Sequence, residues 1–234
     1  LALSNRPILV GAVTDGPGND ERQTTSMWWP PSSPQPTSTY HKRNLVPFGE
    51  WIPARSFFLP LIPVLKNIGR QSVPGTSPGV LDATIAGQQV SIGVVACFEV
   101  AYDDTVADAV RHGAKILAVQ SNNSSFIGTS QTPQQWQITR ARAVETGRHI
   151  VVSTTNSFSG LVNPDGSVAL RTNEGGHTNF TVTMPLESGL TIGVQIAPLL
   201  RIVILVCASG TIAVSLLQRR RAMLAQANHN RSER

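Results

Sequence analysis

Short apolar runs and helix-like stretches alternate along this chain of 234 residues. The runs "RPILVGAV", "VSIGVVA", "KILAVQSN" and "HIVVST" are bounded by turn residues and predict buried strands. Residues 103–114 and 133–148 carry Asp or Pro near the start and Gly near the end, which predicts helices. Because strands alternate with helices and hairpins are inserted, the pattern predicts a layered α/β domain with a mixed sheet.

Turn residues divide the remaining stretches into shorter elements. A Ser/Pro-rich turn at 30–38 separates two further strands, and residues 54–80 are predicted to be loop with a short helix at 56–68. The "AGQQ" turn predicts a hairpin. "HIVVSTTNSFSGLVNPDGSV" is predicted to form two strands closed by the "NPDG" turn, and "TNFTVTMPL" (178–186) a last strand.

The C-terminal part of the chain has a different pattern. Residues 202–217, "IVILVCASGTIAVSLL", carry no charge, and upstream apolar residues lengthen the run to about the 20 residues that a bilayer crossing needs. We interpret 195–217 as a transmembrane helix. The alternative is a buried core helix, although such a helix is rarely apolar on every face. The "QRRR" that follows predicts a basic cytoplasmic tail at 218–234 and an extracytoplasmic domain at 1–190 in the plasma membrane.

The charge distribution changes what the basic composition means. The net charge is +5, but residues 1–190 carry 13 Lys and Arg against 13 Asp and Glu. The excess therefore belongs to the tail, and a nucleic-acid partner for the main domain has no support. The five His are scattered and no CxxC occurs, so we predict neither a metal site nor a cofactor.

The candidate chemistry lies in "ACFEV", where Cys97 ends an apolar strand and Glu99 follows. In open α/β sheets, reactive groups collect at the carboxyl ends of the strands. A thiol becomes a nucleophile when a nearby cation or base activates it, and "YHKRNLVPFGEW" supplies Lys42 and Glu50. A buried structural cysteine remains the alternative at this stage.

Several long stretches resemble one protein family. "YHKRNLVPFGEWIP", "ACFEV" and "SNNSSFIGTSQTPQQWQITRARAVETGRHIVVSTTNSFSGLVNPDGSV", followed by the apolar C-terminal run, together resemble the bacterial apolipoprotein N-acyltransferases. This family is a membrane-embedded branch of the nitrilase, or carbon–nitrogen hydrolase, superfamily. The resemblance covers most of residues 7–190, and K-x-x-L-V-P-F-G-E is its most specific motif. It implies a nitrilase-like α/β domain at 1–190 that forms part of an αββα sandwich.

The resemblance also implies roles for five residues. Cys97 matches the nucleophile and Lys42 the lysine of the family's Glu–Lys–Cys triad. Glu50 matches a second glutamate near the site, Glu99 matches the acid after the nucleophile, and Phe98 between them is a supporting residue. The triad's general-base Glu lies in the family ahead of the strand "RPILVGAV". We therefore expect it upstream of this sequence, together with further transmembrane helices, and we expect the chain alone to lack activity.

The implied reaction is a two-step acyl transfer. Cys97 takes a fatty acyl group from a membrane phospholipid as a thioester. The amino terminus of a diacylglyceryl-cysteine on a lipoprotein then accepts it. The partners implied are therefore the phospholipid, the diacylated lipoprotein and the membrane, with no cofactor.

One loop departs from the family pattern. Family members usually carry Trp-Phe-Gly after Ser-Asn-Asp beyond the next strand, whereas this chain reads "SNNSSFIG" at 121–128. An aromatic residue is thus lost at Ser125, and Asn123 replaces the Asp. The difference concerns the contacts of the acyl chain rather than the type of reaction.

Three alternatives stay open from the sequence. The chain is either an acyltransferase, a nitrilase-type amidase that acts on small amides, or an inactive truncated remnant. Glu99 in turn either supports the site or forms a structural ion pair with Arg140 or Arg142.

Overall fold

The computed structural model describes residues 5–176 and 178–232, with side chains up to residue 220. The chain divides into two compact units, residues 1–191 and residues 192–234. In its described residues, the first unit contains ten strands and three α-helices, and the described residues of the second form one long helix. The strands are β1 (Ile8–Asp15), β2 (Glu21–Trp29), β3 (Ser38–His41), β4 (Gln71–Ser72), β5 (Val80–Ile85), β6 (Gln88–Ala96), β7 (Ile116–Ser121), β8 (Ile150–Thr154), β9 (Gly160–Val162) and β10 (Val168–Arg171). The helices are α1 (Arg55–Leu61), α2 (Asp103–Arg111), α3 (Gln131–Thr146) and α4 (Ile192–Ser232), with 3₁₀ helices at Pro63–Ile68, Cys97–Ala101 and Ser124–Phe126.

The strands form two sheets. The first has the order β1-β2-β3, with β4 pairing in parallel with β2. The second has the order β10-β9-β8-β7-β6-β5. Strands β6, β7 and β8 run parallel and their neighbours antiparallel, so this sheet is mixed. The predicted α/β class with a mixed sheet is confirmed.

Two apolar clusters hold the layers of the first unit together. One packs helices α2 and α3 onto the second sheet and contains Leu117, Trp136 and Ile150. The other contains Trp28 of the first sheet and Val94 of the second, so the two sheets pack face to face. Strands β6 and β7 contribute to both clusters, and this burial on both faces explains why they read as continuous apolar runs.

Local signals located α3 correctly. It ends at Thr146, and Gly147 follows in the left-handed conformation with φ of 62°, as the sequence predicts for a helix C-terminus. The hairpin across Ala86 and Gly87 and the helix at 103–111 are confirmed as well.

Three predictions about single elements are wrong in detail. "RPILVGAV" forms β1, but this strand lies at an edge of its sheet and Val13 is 65% exposed, so it is not buried. The "NPDG" turn joins β9 to β10, so the segment contains three strands with β8. Residues 178–186, all within the described part of the chain, form no strand because they pair with no neighbour.

Helix α4 is longer than the predicted 195–217, because it begins at Ile192 and continues to Ser232. Its segment Ile192–Arg220 is long and apolar enough to cross a membrane, with mean hydropathy 2.2 in its most apolar window. None of that window is buried.

Gly160 gives a test of the β9–β10 pairing. A Cβ at this position would collide with the carbonyl oxygen of Leu170 and lie 3.0 Å from the Cα of Arg171. We therefore expect Gly160→Ala to lower the free energy of unfolding by about 1–3 kcal/mol, as overpacking does. Chemical denaturation of the chain in detergent measures this change. The control Gly176→Ala, whose Cβ has its nearest neighbour at 3.3 Å, is expected to change it by less than about 0.5 kcal/mol. Equal effects of the two changes would contradict the close approach.

Candidate active site

The backbone turns sharply at Cys97. Strand β6 ends at Ala96, and a 3₁₀ helix begins at Cys97, which has a φ of 55°. The left-handed conformation is unfavourable for a residue with a Cβ, by about 1–2 kcal/mol, and such strain clusters at functional sites. The thiol is free and partly exposed, so the alternative of a buried structural cysteine does not describe it.

Two cavities meet at Cys97. The first, about 500 Å³, has a mostly apolar wall to which Phe98 contributes; its other apolar residues include Val46, Pro47, Phe48, Val100, Phe126 and Ile138. The second, about 660 Å³, has a mixed wall, in which Glu50 and polar residues such as Thr24, Ser26 and Gln120 stand beside apolar residues of β1 such as Leu9 and Val13. The thiol therefore stands between a mostly apolar cavity and a cavity whose wall also offers polar groups.

Lys42 directly follows β3 and is 1% exposed. Its ammonium donates to both carboxylate oxygens of Glu50, at 2.8 and 2.7 Å. The "VPFGE" segment makes this possible because it turns back: the amides of Gly49 and Glu50 donate to the carbonyl of Val46, whose own amide donates to the carboxylate at 2.7 Å. A buried ammonium needs such a partner to remain charged.

Glu99 is fully buried, yet its carboxylate has four donors. Oε1 accepts from the hydroxyl of Tyr40 at 2.8 Å and from the amides of Arg43 at 2.8 Å and Asn44 at 3.0 Å. Oε2 accepts from the amide of Ala96 at 3.0 Å. One carboxylate thus ties the strand end before Cys97 to the segment after Lys42.

The alternative ion pair of Glu99 with Arg140 or Arg142 is wrong. Arg140 donates to the carbonyl of Gly166, and Arg142 donates to the carbonyls of Val100 and Ala101. The guanidinium of Arg142 also pairs with Glu145. These arginines fasten helix α3 to its surroundings instead of serving the site.

Phe98 and the loop at 121–128 contribute to the apolar cavity. Phe98 is 47% exposed, and its ring meets that of Tyr102 edge to face at 6.0 Å. Asn123 is buried, accepts from Ser121 and donates to Gln135, both at 2.6 Å. Phe126 of this loop lies in the cavity wall.

Sequence reasoning missed Tyr40. Its side chain is fully buried, and burial together with the nearby Glu99 carboxylate raises the pKa of its phenol well above the usual range. The alternation of side chains along an extended chain could have indicated Tyr40, because Tyr40 and Lys42 are two positions apart and so point to the same side. Within the described residues, no three His, Cys, Asp or Glu side chains are grouped as a metal site requires.

The fold and this set of side chains agree with the matches to known proteins. Residues 20–189 match the model of the carbon-nitrogen hydrolase family, and the chain belongs to this family. The sequence is similar to the apolipoprotein N-acyltransferase of Mycolicibacterium smegmatis, with 34% identity over 90% of this chain and 35% of that protein. It is also similar to the enzyme of the same name from Gloeobacter violaceus, with 31% identity over 80% of this chain and 34% of that protein. The chain spans about a third of the length of these relatives.

Solved structures confirm the nitrilase-like fold. An amidase of the nitrilase superfamily from Nesterenkonia AN1 superposes with a TM-score of 0.53 at 16% identity, over 73% of this chain and 58% of the amidase. A nitrilase-superfamily protein of Saccharomyces cerevisiae gives a TM-score of 0.52 at 16% identity, over 71% of this chain and 55% of that protein. These likenesses concern the fold alone.

Glu99→Gln is expected to lower the stability of the site strongly. The amide would present two hydrogens where the carboxylate accepts four hydrogen bonds, so at least one buried backbone donor would lose its partner. We expect a loss of about 2–4 kcal/mol in the free energy of unfolding, measured by denaturation in detergent. The matched change Glu145→Gln, in a pair that is partly exposed, should cost less than about 1 kcal/mol. A Glu99→Gln protein as stable as the wild type would contradict this account of the carboxylate.

Proposed function

We propose that this chain is the catalytic part of an N-acyltransferase. The enzyme moves a fatty acyl group from a membrane phospholipid, through a cysteine thioester, to the amino terminus of a diacylglyceryl-cysteine on an apolipoprotein. The observation that carries the proposal is the position of Cys97 between a mostly apolar cavity and a second, mixed cavity that is lined in part by Glu50, the partner of Lys42. The names of the relatives with 31–34% identity support the same reaction.

In the first step, the thiolate of Cys97 attacks the ester carbonyl of the phospholipid. A general base takes the proton of the thiol; a C–S bond forms, the C–O bond breaks, and the lysophospholipid leaves as an alcohol when that base passes the proton to its oxygen. Negative charge develops on the carbonyl oxygen, where the ammonium of Lys42 and the backbone N–H of Phe98 would stabilise it. Glu50 holds Lys42 in place, because both its oxygens accept from the ammonium.

In the second step, the amine of the lipoprotein attacks the thioester carbonyl. The C–N bond forms, the C–S bond breaks, and Cys97 is regenerated while the proton of the amine passes to a base. Splitting the transfer into two steps replaces one difficult displacement by two easier ones.

The apolar cavity suits a fatty acyl chain. Its volume of about 500 Å³ lies in the usual range of small-molecule sites. Each buried CH₂ group contributes about 0.8 kcal/mol, so a long chain supplies much of the binding energy without polar contacts. Phe48, Phe98 and Phe126 provide aromatic surface in this wall.

An amidase that acts on small amides is the second candidate, because it would use the same thiol and lysine. Helix α4 favours the acyltransferase, since a small soluble amide requires no segment long and apolar enough to cross a membrane. The third alternative, an inactive truncated remnant, predicts that no acyl group is transferred to Cys97.

Labelling of Cys97 tests the covalent step. We expect labelled phospholipid to form a hydroxylamine-sensitive adduct with the full-length enzyme and none with its Cys97→Ala variant, because a thioester at this site requires the thiol of Cys97. The control Cys207→Ala, within α4, should keep the wild-type signal. Persistent labelling of Cys97→Ala would rule out the proposed nucleophile.

We further propose that residues 195–217 span the plasma membrane, that the nitrilase-like domain at 1–190 lies on the extracytoplasmic side, and that residues 218–234 are cytoplasmic. The support is the cluster Arg219, Arg220 and Arg221 on one side only of the apolar segment, since cytoplasmic flanks are rich in Lys and Arg.

Reporter fusions test this orientation. A reporter joined after Gln218 is expected to show the activity of a cytoplasmic fusion and no periplasmic activity, because the arginines retain that flank in the cytoplasm. The matched control replaces the three arginines by Gln and should increase the inverted population. Periplasmic activity of the unaltered fusion would contradict the proposal.

A further inference from the structure

We propose that Tyr40 is a positioning residue, which holds the Glu99 carboxylate in the orientation that keeps the lysine segment beside the nucleophile. The inference rests on the proposed function for its meaning in acyl transfer. Its geometry, however, concerns only the thiol and the groups around it, so it can be tested without either substrate.

Tyr40 approaches Glu99 across 59 positions of sequence, and their side chains are both fully buried. The phenol donates at 2.8 Å to Oε1, the same oxygen that accepts from the amides of Arg43 and Asn44. Of these donors, only the phenol belongs to a side chain. A substitution can therefore remove the phenol while the path of the backbone remains unchanged.

Three of the four donors to Glu99 lie close to Lys42 in the sequence, on either side of it. Tyr40 lies two positions before it, and the amides of Arg43 and Asn44 follow directly after it. The segment that carries Lys42 is thus fastened on both sides to one carboxylate. The other oxygen of this carboxylate holds the amide of Ala96, next to the nucleophile.

Tyr40 acts through Glu99 because it is not among the described residues that line either cavity at Cys97. Its ring packs instead in the apolar cluster between the sheets, with Trp28 and Leu81. Tyr40→Phe keeps this packing and removes only the hydroxyl. A buried carboxylate that loses a charge-assisted donor becomes less firmly oriented, and the loss passes to both segments that it holds.

The experiment measures how fast iodoacetamide alkylates Cys97 in the intact protein, with mass spectrometry of the Cys97 peptide as the readout. Rates are taken across a pH series at a temperature where each variant is folded. We expect Tyr40→Phe to lower the alkylation rate about tenfold relative to the wild type and to alter the pH profile of this rate. Tyr102→Phe, which removes the hydroxyl of a partly exposed tyrosine, should stay within about twofold.

A double-mutant cycle separates positioning from a general structural effect. If Tyr40 acts through Glu99, then Tyr40→Phe combined with Glu99→Gln should give nearly the rate of Glu99→Gln alone. With phospholipid and lipopeptide as substrates, Tyr40→Phe should lower kcat by a similar factor and leave KM within about twofold. A wild-type alkylation rate and pH profile for Tyr40→Phe, or strictly multiplicative effects in the cycle, would overturn the inference. If the full-length wild-type enzyme fails to transfer acyl groups while alkylation still depends on Tyr40, the proposed function fails and the positioning role stands.

Discussion

The buried carboxylate of Glu99 is the interaction on which the arrangement of the candidate site depends. An ionised group without exposure is costly unless its oxygens are satisfied, and here Tyr40 and three backbone amides satisfy them. Because the donors come from two separate segments, the carboxylate holds those segments together. The left-handed backbone of Cys97 persists for the same reason, since strain of this kind survives only where the surroundings determine the conformation.

The ion pair of Lys42 and Glu50 adds a fixed charge to this frame. The ammonium is almost fully buried, and Glu50 is among the residues that line the second cavity at Cys97. A charge that is oriented before reaction, in a place from which water is largely excluded, stabilises developing negative charge more than a mobile surface lysine does. The two glutamates thus have different tasks: the buried Glu99 shapes the site, and the partly exposed Glu50 holds its cation.

Membership of the carbon-nitrogen hydrolase family accounts for the fold. Two features distinguish the proposed acyl transfer from the hydrolysis of small amides. The first is the apolar cavity beside Cys97, and the second is the apolar helix α4. Both suit substrates that carry long acyl chains, because apolar burial rather than hydrogen bonding provides the binding energy for such chains.

The sequence alone determined the elements whose signals are local. Apolar runs located β6 and β7, Gly147 marked the end of α3, and the ends of the runs drew attention to Cys97. The tertiary structure decided what depends on distant partners. The "NPDG" turn joins β9 to β10, residues 178–186 form no strand, and Glu99 binds Tyr40 rather than an arginine. Turn and capping preferences act within a few residues, whereas strand pairing and the partners of a buried charge arise only when remote segments meet.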